Sequence, residues 1–139
     1  MEKAFFAKGL DWESSPGAFT KEQFQQVLDE AELAGREAVA GMRDGFPCGG
    51  AYLTAHSNVN CGFIIKLFKK YGVKEGEGSN AKYKIGNWTM MKDYPTGFWI
   101  SNSANGGYQN MDMHSAENNA YVRVFAKYNI VVGVRTYID

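Results

Sequence analysis

Between residue 48 and the C-terminus the hydrophobic pattern alternates between two periods, and the order of that alternation limits the fold more than any other feature. "GGAYLTA" (49–55) reads as a short strand. "NCGFIIKLFKKYGV" (60–73) places Phe63, Ile64, Leu67, Phe68 and Tyr71 at helical spacing. "EGEGSN" (75–80) has the composition of a flexible loop. "AKYKIGNWTMMK" (81–92) and "TGFWISN" (96–102) are aromatic-rich strands joined across the turn "DYPTG". Asp112 to Tyr128 returns to helical spacing, with Ala120, Tyr121, Val124, Phe125 and Tyr128 on one side. "IVVGVRTYI" (130–138) is a β-branched strand.

Strand, helix, strand, strand, helix, strand is the split βαβ order. It predicts an α+β, ferredoxin-like βαββαβ domain: a four-stranded antiparallel sheet with two helices on one face. "IIKLFKKYGV" and "YVRVFAKYNI" align without a gap, as the two halves of such a domain would.

An extra N-terminal helix precedes this unit. Thr20 with Gln23 three residues later forms a capping-box signature, and Phe19 with Phe24 a hydrophobic staple. Phe24, Val27, Leu28, Ala31, Ala34, Ala38 and Met42 then recur as one apolar stripe. Much of the stripe is alanine, with Gly35 and Gly41 beside it, so this helix is expected to approach a neighbour closely. "RDG" and Pro47 end it. The resulting organisation is an arm over 1–19, a helix over 20–44 and the α+β unit over 48–139, together forming one domain. The helix is expected to cover the second face of the sheet, project to a partner, or pack at an edge.

The bulk numbers narrow the function classes. Lys plus Arg and Asp plus Glu balance at 15 each, so no global field attracts nucleic acid or anionic membrane. Aromatic content of 14% is high, and large rings either fill a core or form a contact surface. Two cysteines, Cys48 and Cys61, are too few for a disulfide scaffold. No apolar run approaches the roughly 20 residues of a membrane span. The start "MEKAFFAKGLDW" lacks the pattern of a secretory signal. These features predict a cytoplasmic chain with reduced thiols.

Two regions are candidates for binding. In the last strand, Val132, Val134, Thr136 and Ile138 alternate with Val131, Gly133, Arg135 and Tyr137. The first set suits a core. The second, joined by Tyr52 and Trp99 through alternation in their own strands, suits an open face on which bases could stack. The other region is "SNSANGGYQNMDMHSAENN" (101–119), before and into the second helix of the unit. Free backbone N–H groups at a helix start hold anions or polar ligands. Gly106 and Gly107 permit close approach, and Asn102, Asn105, Gln109 and Asn110 offer hydrogen bonds. The competing reading makes this stretch a polar loop, with Asp112 or Ser115 as a helix cap.

No catalytic or metal constellation stands out. Cys48, His56, Cys61 and His114 lack the close pairing of a zinc site. Asp112, His114 and Ser115 are near neighbours at a helix start, where side chains rarely converge. Glu75 and Glu77 fall in the glycine-rich loop. Neither a cofactor nor an enzymatic reaction is expected.

The C-terminal stretch "YQNMDMHSAENNAYVRVFAKYNIVVGVRTYID" resembles a family of uncharacterised small proteins from tailed bacteriophages and prophages. Gln109 meets that family's Gly-Gln-Ser element, Ala120 its alanine-rich helix, Ile130 its Gly-Ile pair and Asp139 its terminal aspartate. "CGGAYL", "GFWIS" and "AELAGREAVAG" resemble its Cys-Gly-Phe-Ala strand, a Gly-aromatic-Ile strand and its N-terminal helix. The resemblance covers most of residues 30–139. Asn110, Asn129 and Tyr137 depart from it, standing where serine, glycine and arginine are expected. It implies a phage gene product acting inside a bacterial cell.

The leading expectation is a non-enzymatic phage accessory protein that binds a host protein or a small polar ligand such as a nucleotide. A single-stranded nucleic-acid-binding module using the sheet is the alternative. A homo-oligomer joined through the small-residue helix is a third.

Overall fold

A computed structural model of the chain describes residues 19–56, 62–93 and 96–138. Its elements are α1 (Lys21–Ala38), β1 (Gly49–Ala55), α2 (Gly62–Tyr71), β2 (Val73–Glu75), a 3-10 turn at Gly78–Asn80, β3 (Lys82–Ile85), β4 (Trp88–Lys92), β5 (Phe98–Asn102), α3 (Met111–Lys127) and β6 (Gly133–Ile138). The strands form one antiparallel sheet in the order β2-β3-β4-β5-β1-β6.

The α+β class is as expected, but the sheet has six strands where four were predicted. Two local features account for the difference. Residues 81–92 are a hairpin rather than one strand: Ile85 pairs with Trp88 across the two-residue loop Gly86-Asn87, and Gly86 has φ 57°. A glycine first in a two-residue loop supplies the positive φ that a tight hairpin needs. Val73–Glu75, which runs from the end of the predicted helical stretch to the first residue of the predicted loop, adds a short edge strand whose Val73 pairs with Lys84.

The N-terminal helix begins as predicted. The Thr20 hydroxyl accepts from the Gln23 N–H at 3.0 Å, and the Gln23 side chain accepts from the Thr20 N–H at 2.9 Å. It ends earlier than predicted, at Ala38, and Met42 is exposed outside it. Phe24, Val27, Leu28, Ala31 and Gly35 form its buried face. Gly35 allows the close approach to α3: a Cβ there would stand 2.3 Å from Tyr121 Cε1. Glu30 holds the same two helices together through the Lys127 ammonium and the Tyr128 hydroxyl.

Leu53, Ala55, Trp88, Met90 and Ile100 of the sheet share one buried cluster with Phe24 and Leu28 of α1, Ile64 and Phe68 of α2, and Tyr121 and Phe125 of α3. Phe24 meets Phe68 edge-on at 5.6 Å. All three described helices therefore lie on one side of the sheet. Of the three positions expected for the N-terminal helix, none is the one observed. It joins the helical layer beside α3, where Phe24, Val27, Leu28 and Ala31 are fully removed from water.

The last strand starts at Gly133, three residues later than predicted. Ile130 and Val132 are buried ahead of it, whereas Thr136 and Ile138 stay exposed although they alternate with Arg135 and Tyr137 as expected. β6 is an edge strand, so its distal half borders solvent. Among the described residues no helix is long and apolar enough to cross a membrane.

Candidate functional site

The amide-rich stretch after β5 is stitched into the fold. The Asn102 side chain accepts from the N–H groups of Ala104 and Asn105 at 2.8 and 3.0 Å and donates to the Glu32 carboxylate at 2.8 Å. Asn105 donates to the Glu32 carbonyl at 3.0 Å and to the Tyr121 hydroxyl at 2.8 Å. Asn110 caps α3 by accepting from Met113 N–H at 2.8 Å and donates to the carbonyls of Gly45 and Phe46. The cap is therefore Asn110, one of the residues proposed for ligand binding, and neither Asp112 nor Ser115. The Gln109 side chain accepts from the Cys48 thiol at 3.7 Å. Gly106, with φ 88°, passes close to His114, and Gly107 faces open space.

Two carboxylates anchor this stretch from outside it. Asp44 accepts from the N–H groups of Gln109, Asn110 and Gly45 at 2.8 to 2.9 Å. Those bonds, Gln109's foremost, hold its carboxyl below the ordinary aspartate value. Burial pushes the Glu32 carboxyl upward, but hydrogen bonds from Asn102 and Asn87 and the nearby Arg36 outweigh it and leave the group below its ordinary value. A third carboxylate is internal. Glu117, 3% exposed, accepts from the hydroxyls of Tyr108 and Tyr121. Burial first, then this carboxylate, drives both phenols well above the tyrosine range. They stay neutral donors.

His114 directs Nε2 to the Tyr108 carbonyl at 2.8 Å. Glu75 pairs with Lys84 at 3.3 Å, and Glu77 with Lys74 at 3.8 Å. Cys61 lies outside the described residues.

The other face of the sheet carries the second set of candidates, and the fold brings all four together. The register places Tyr52 opposite Arg135 and Gly50 opposite Tyr137, while Thr54 pairs with Trp99. The Tyr52 ring lies 6.0 Å from Trp99, edge-on, and 6.3 Å from Tyr137. The Arg135 guanidinium donates to the Tyr52 hydroxyl at 3.4 Å and stands 3.9 Å from the Asp93 carboxylate. Tyr137 lies over Gly50, where a Cβ would come within 2.3 Å of its hydroxyl. A glycine at this one position lets the ring rest on the backbone.

These rings border a shallow cavity of about 370 Å³, lined also by Ala51, Asp93 and Ser101. Lys82 and Lys84 continue the same face on β3, with Thr89 and Met91 of β4 between. Among the described residues no helix or loop covers it. Sequence alternation found the rings and the arginine. It missed Asp93, which belongs to the turn that closes β4 on β5 through Asp93 N–H to the Gly97 carbonyl at 2.9 Å. It also missed Glu117, whose spacing of four from Tyr121 on one helix face was the available signal. Comparison of the chain with protein-family models, with curated proteins and with solved structures finds no match.

Proposed function

We propose that the sheet face opposite the described helices binds single-stranded nucleic acid, with Tyr52, Trp99 and Tyr137 stacking bases and Arg135 meeting phosphate. One observation carries this reading: α1 joins the helical layer and leaves the aromatic cluster without a described element over it. Rings on a sheet give a platform that suits any base, because every base has a π-face. Lys82 and Lys84, the latter paired with Glu75 at 3.3 Å, lie farther along this face on β3, a local feature that a net charge of zero over the whole chain does not reveal. The phage or prophage setting implied by the resemblance belongs to the same proposal, as does a non-catalytic role in the cytoplasm.

The sheet supports a finer reading of the fold. β1 and β4 run parallel with β5 between them, and β5 and β6 run parallel with β1 between them. That is the interleaving of a ferredoxin-like split βαβ unit, to which β2 and β3 add an outer hairpin.

The amide-loop reading, in which a nucleotide or a host protein meets Asn102, Asn105, Gln109 and Asn110, draws less support because these side chains hold α1, α3 and residues 44–48 together. The homo-oligomer reading draws less as well, since Ala31 and Gly35 are spent inside the chain. A gel-shift series with single-stranded oligonucleotides across salt concentrations tests the proposal. Affinity is expected to fall as salt rises, with a logarithmic slope of about 0.7 for each phosphate contacted. Trp99→Ala is expected to remove about 1–3 kcal/mol of binding, the typical value of one stacked base. Absence of a shift at any salt concentration overturns it.

A further inference from the structure

Resting on that reading, we propose that the bound strand crosses the sheet from β6 to β3. Met91 then carries the base that follows Trp99, and Lys82 holds the far phosphate. The pairing of the strands lays out this path. Thr54 pairs with Trp99, Trp99 with Met91, Met91 with Lys82 and Lys82 with Glu75. Residues paired across neighbouring strands point to one face. These side chains therefore form a single row, beside the row that begins at Arg135 and Tyr52. Trp88 and Met90 of β4 are buried in the core, so Met91, which alternates with them, lies opposite the helices together with Lys82.

The path has a cation at each end and stacking surface between. Arg135 stands on β6, the outermost strand, and Lys82 on β3, four strand spacings or about 19 Å away. Tyr52, Trp99 and the partly exposed Met91 lie between them, two rings and a polarisable thioether that suit the π-face of a base. Lys82 is exposed and makes no ion pair among the described residues, whereas Lys84 holds Glu75 at 3.3 Å. Beyond β3 the Glu75 carboxylate repels phosphate, and beyond β6 the sheet ends, so the path is bounded on both sides. A site of this span holds about four nucleotides, the short end of the range for folds that bind single strands. A ligand running lengthwise over β1 and β5 would meet the rings and Arg135 but never Lys82.

The test titrates the full chain with oligothymidylates of two, four and eight nucleotides. Binding is read by tryptophan fluorescence and, for the shortest, by NMR shifts of the Trp99 indole. Affinity is expected to rise steeply from two to four nucleotides, and from four to eight only by the number of alignments available. Lys82→Ala should weaken the eight-nucleotide strand about threefold or more at low salt and reduce its logarithmic salt slope by about 0.7, the share of one phosphate. The two-nucleotide ligand, held at the rings, should stay within about twofold. Lys82→Arg should keep the original slope. Lys66→Ala removes an equal charge from the exposed side of α2 and should leave the slope unchanged. An affinity already at its plateau with two nucleotides, an unchanged slope in Lys82→Ala, an equal loss for the shortest ligand, or an equal effect of Lys66→Ala overturns the inference. The stacking face survives any of these results, provided that Trp99→Ala still weakens binding. Failure of every strand to bind removes the reading of the face and the path with it.

Discussion

Single side chains at the edge of the helical layer decide how residues 101–119 sit. Asn110 is nearly buried and serves three backbone groups at once, capping α3 and holding the carbonyls of Gly45 and Phe46. Asn110→Ala is expected to cost about 1–2 kcal/mol, the upper part of the range for losing an N-cap, because the carbonyls of Gly45 and Phe46 lose their donor as well. Chemical denaturation would show it as a lower midpoint at constant slope. Asp44 and Glu32 make the same region acid-sensitive. Their folded carboxyls sit below the ordinary values of 3.8 and 4.5. The stability they contribute is thus present above those values and lost as pH falls through the lower, folded ones. Thermal melting between pH 6 and pH 2 should show a steep decline beginning near pH 4.5. Asp44→Asn should flatten its lower part.

At the level of elements, the contact between α1 and α3 is set by Gly35. Alanine there would gain about 1 kcal/mol in helix propensity. It would also drive a methyl group against the Tyr121 ring, which Glu117 and Asn105 fix through its hydroxyl. Overpacking of this kind costs about 1–3 kcal/mol, and since the ring cannot turn aside, the loss outweighs the gain. Gly35→Ala is expected to lower the Tm by several degrees, whereas Gly41→Ala, in open space but at φ 85°, should act only through backbone strain.

These elements also show what was legible beforehand. The capping box at Thr20, the inward faces of α2 and α3, and the alternation of Tyr52, Trp99 and Arg135 follow from period and composition alone. The Gly86-Asn87 turn is equally local, but its two residues lie inside a run whose strand-like composition continues on both sides. The placement of α1 was not local. Its stripe fits a helix or a sheet equally well, and only the combined burial of Phe24, Phe68 and Trp88 selects the helical layer. The role of the asparagines could not be read from residues 101–119 because their partners, Glu32, Asp44, Gly45 and Phe46, are distant in the chain.

At the scale of the molecule, the described residues form a six-stranded sheet with helices on one side and an aromatic, cation-bearing surface on the other. Its two sides contrast in chemistry. The helical side buries the Glu117 carboxylate against two tyrosine hydroxyls and uses its amides internally, while the other side keeps Arg135 and Tyr137 exposed. An NMR titration of the isotopically labelled full chain with a single-stranded oligonucleotide distinguishes these surfaces most directly. Amide and side-chain shifts concentrated at Tyr52, Asp93, Trp99, Arg135 and Tyr137 are the predicted result. Shifts confined to residues 102–110, or no shifts at all, would contradict it.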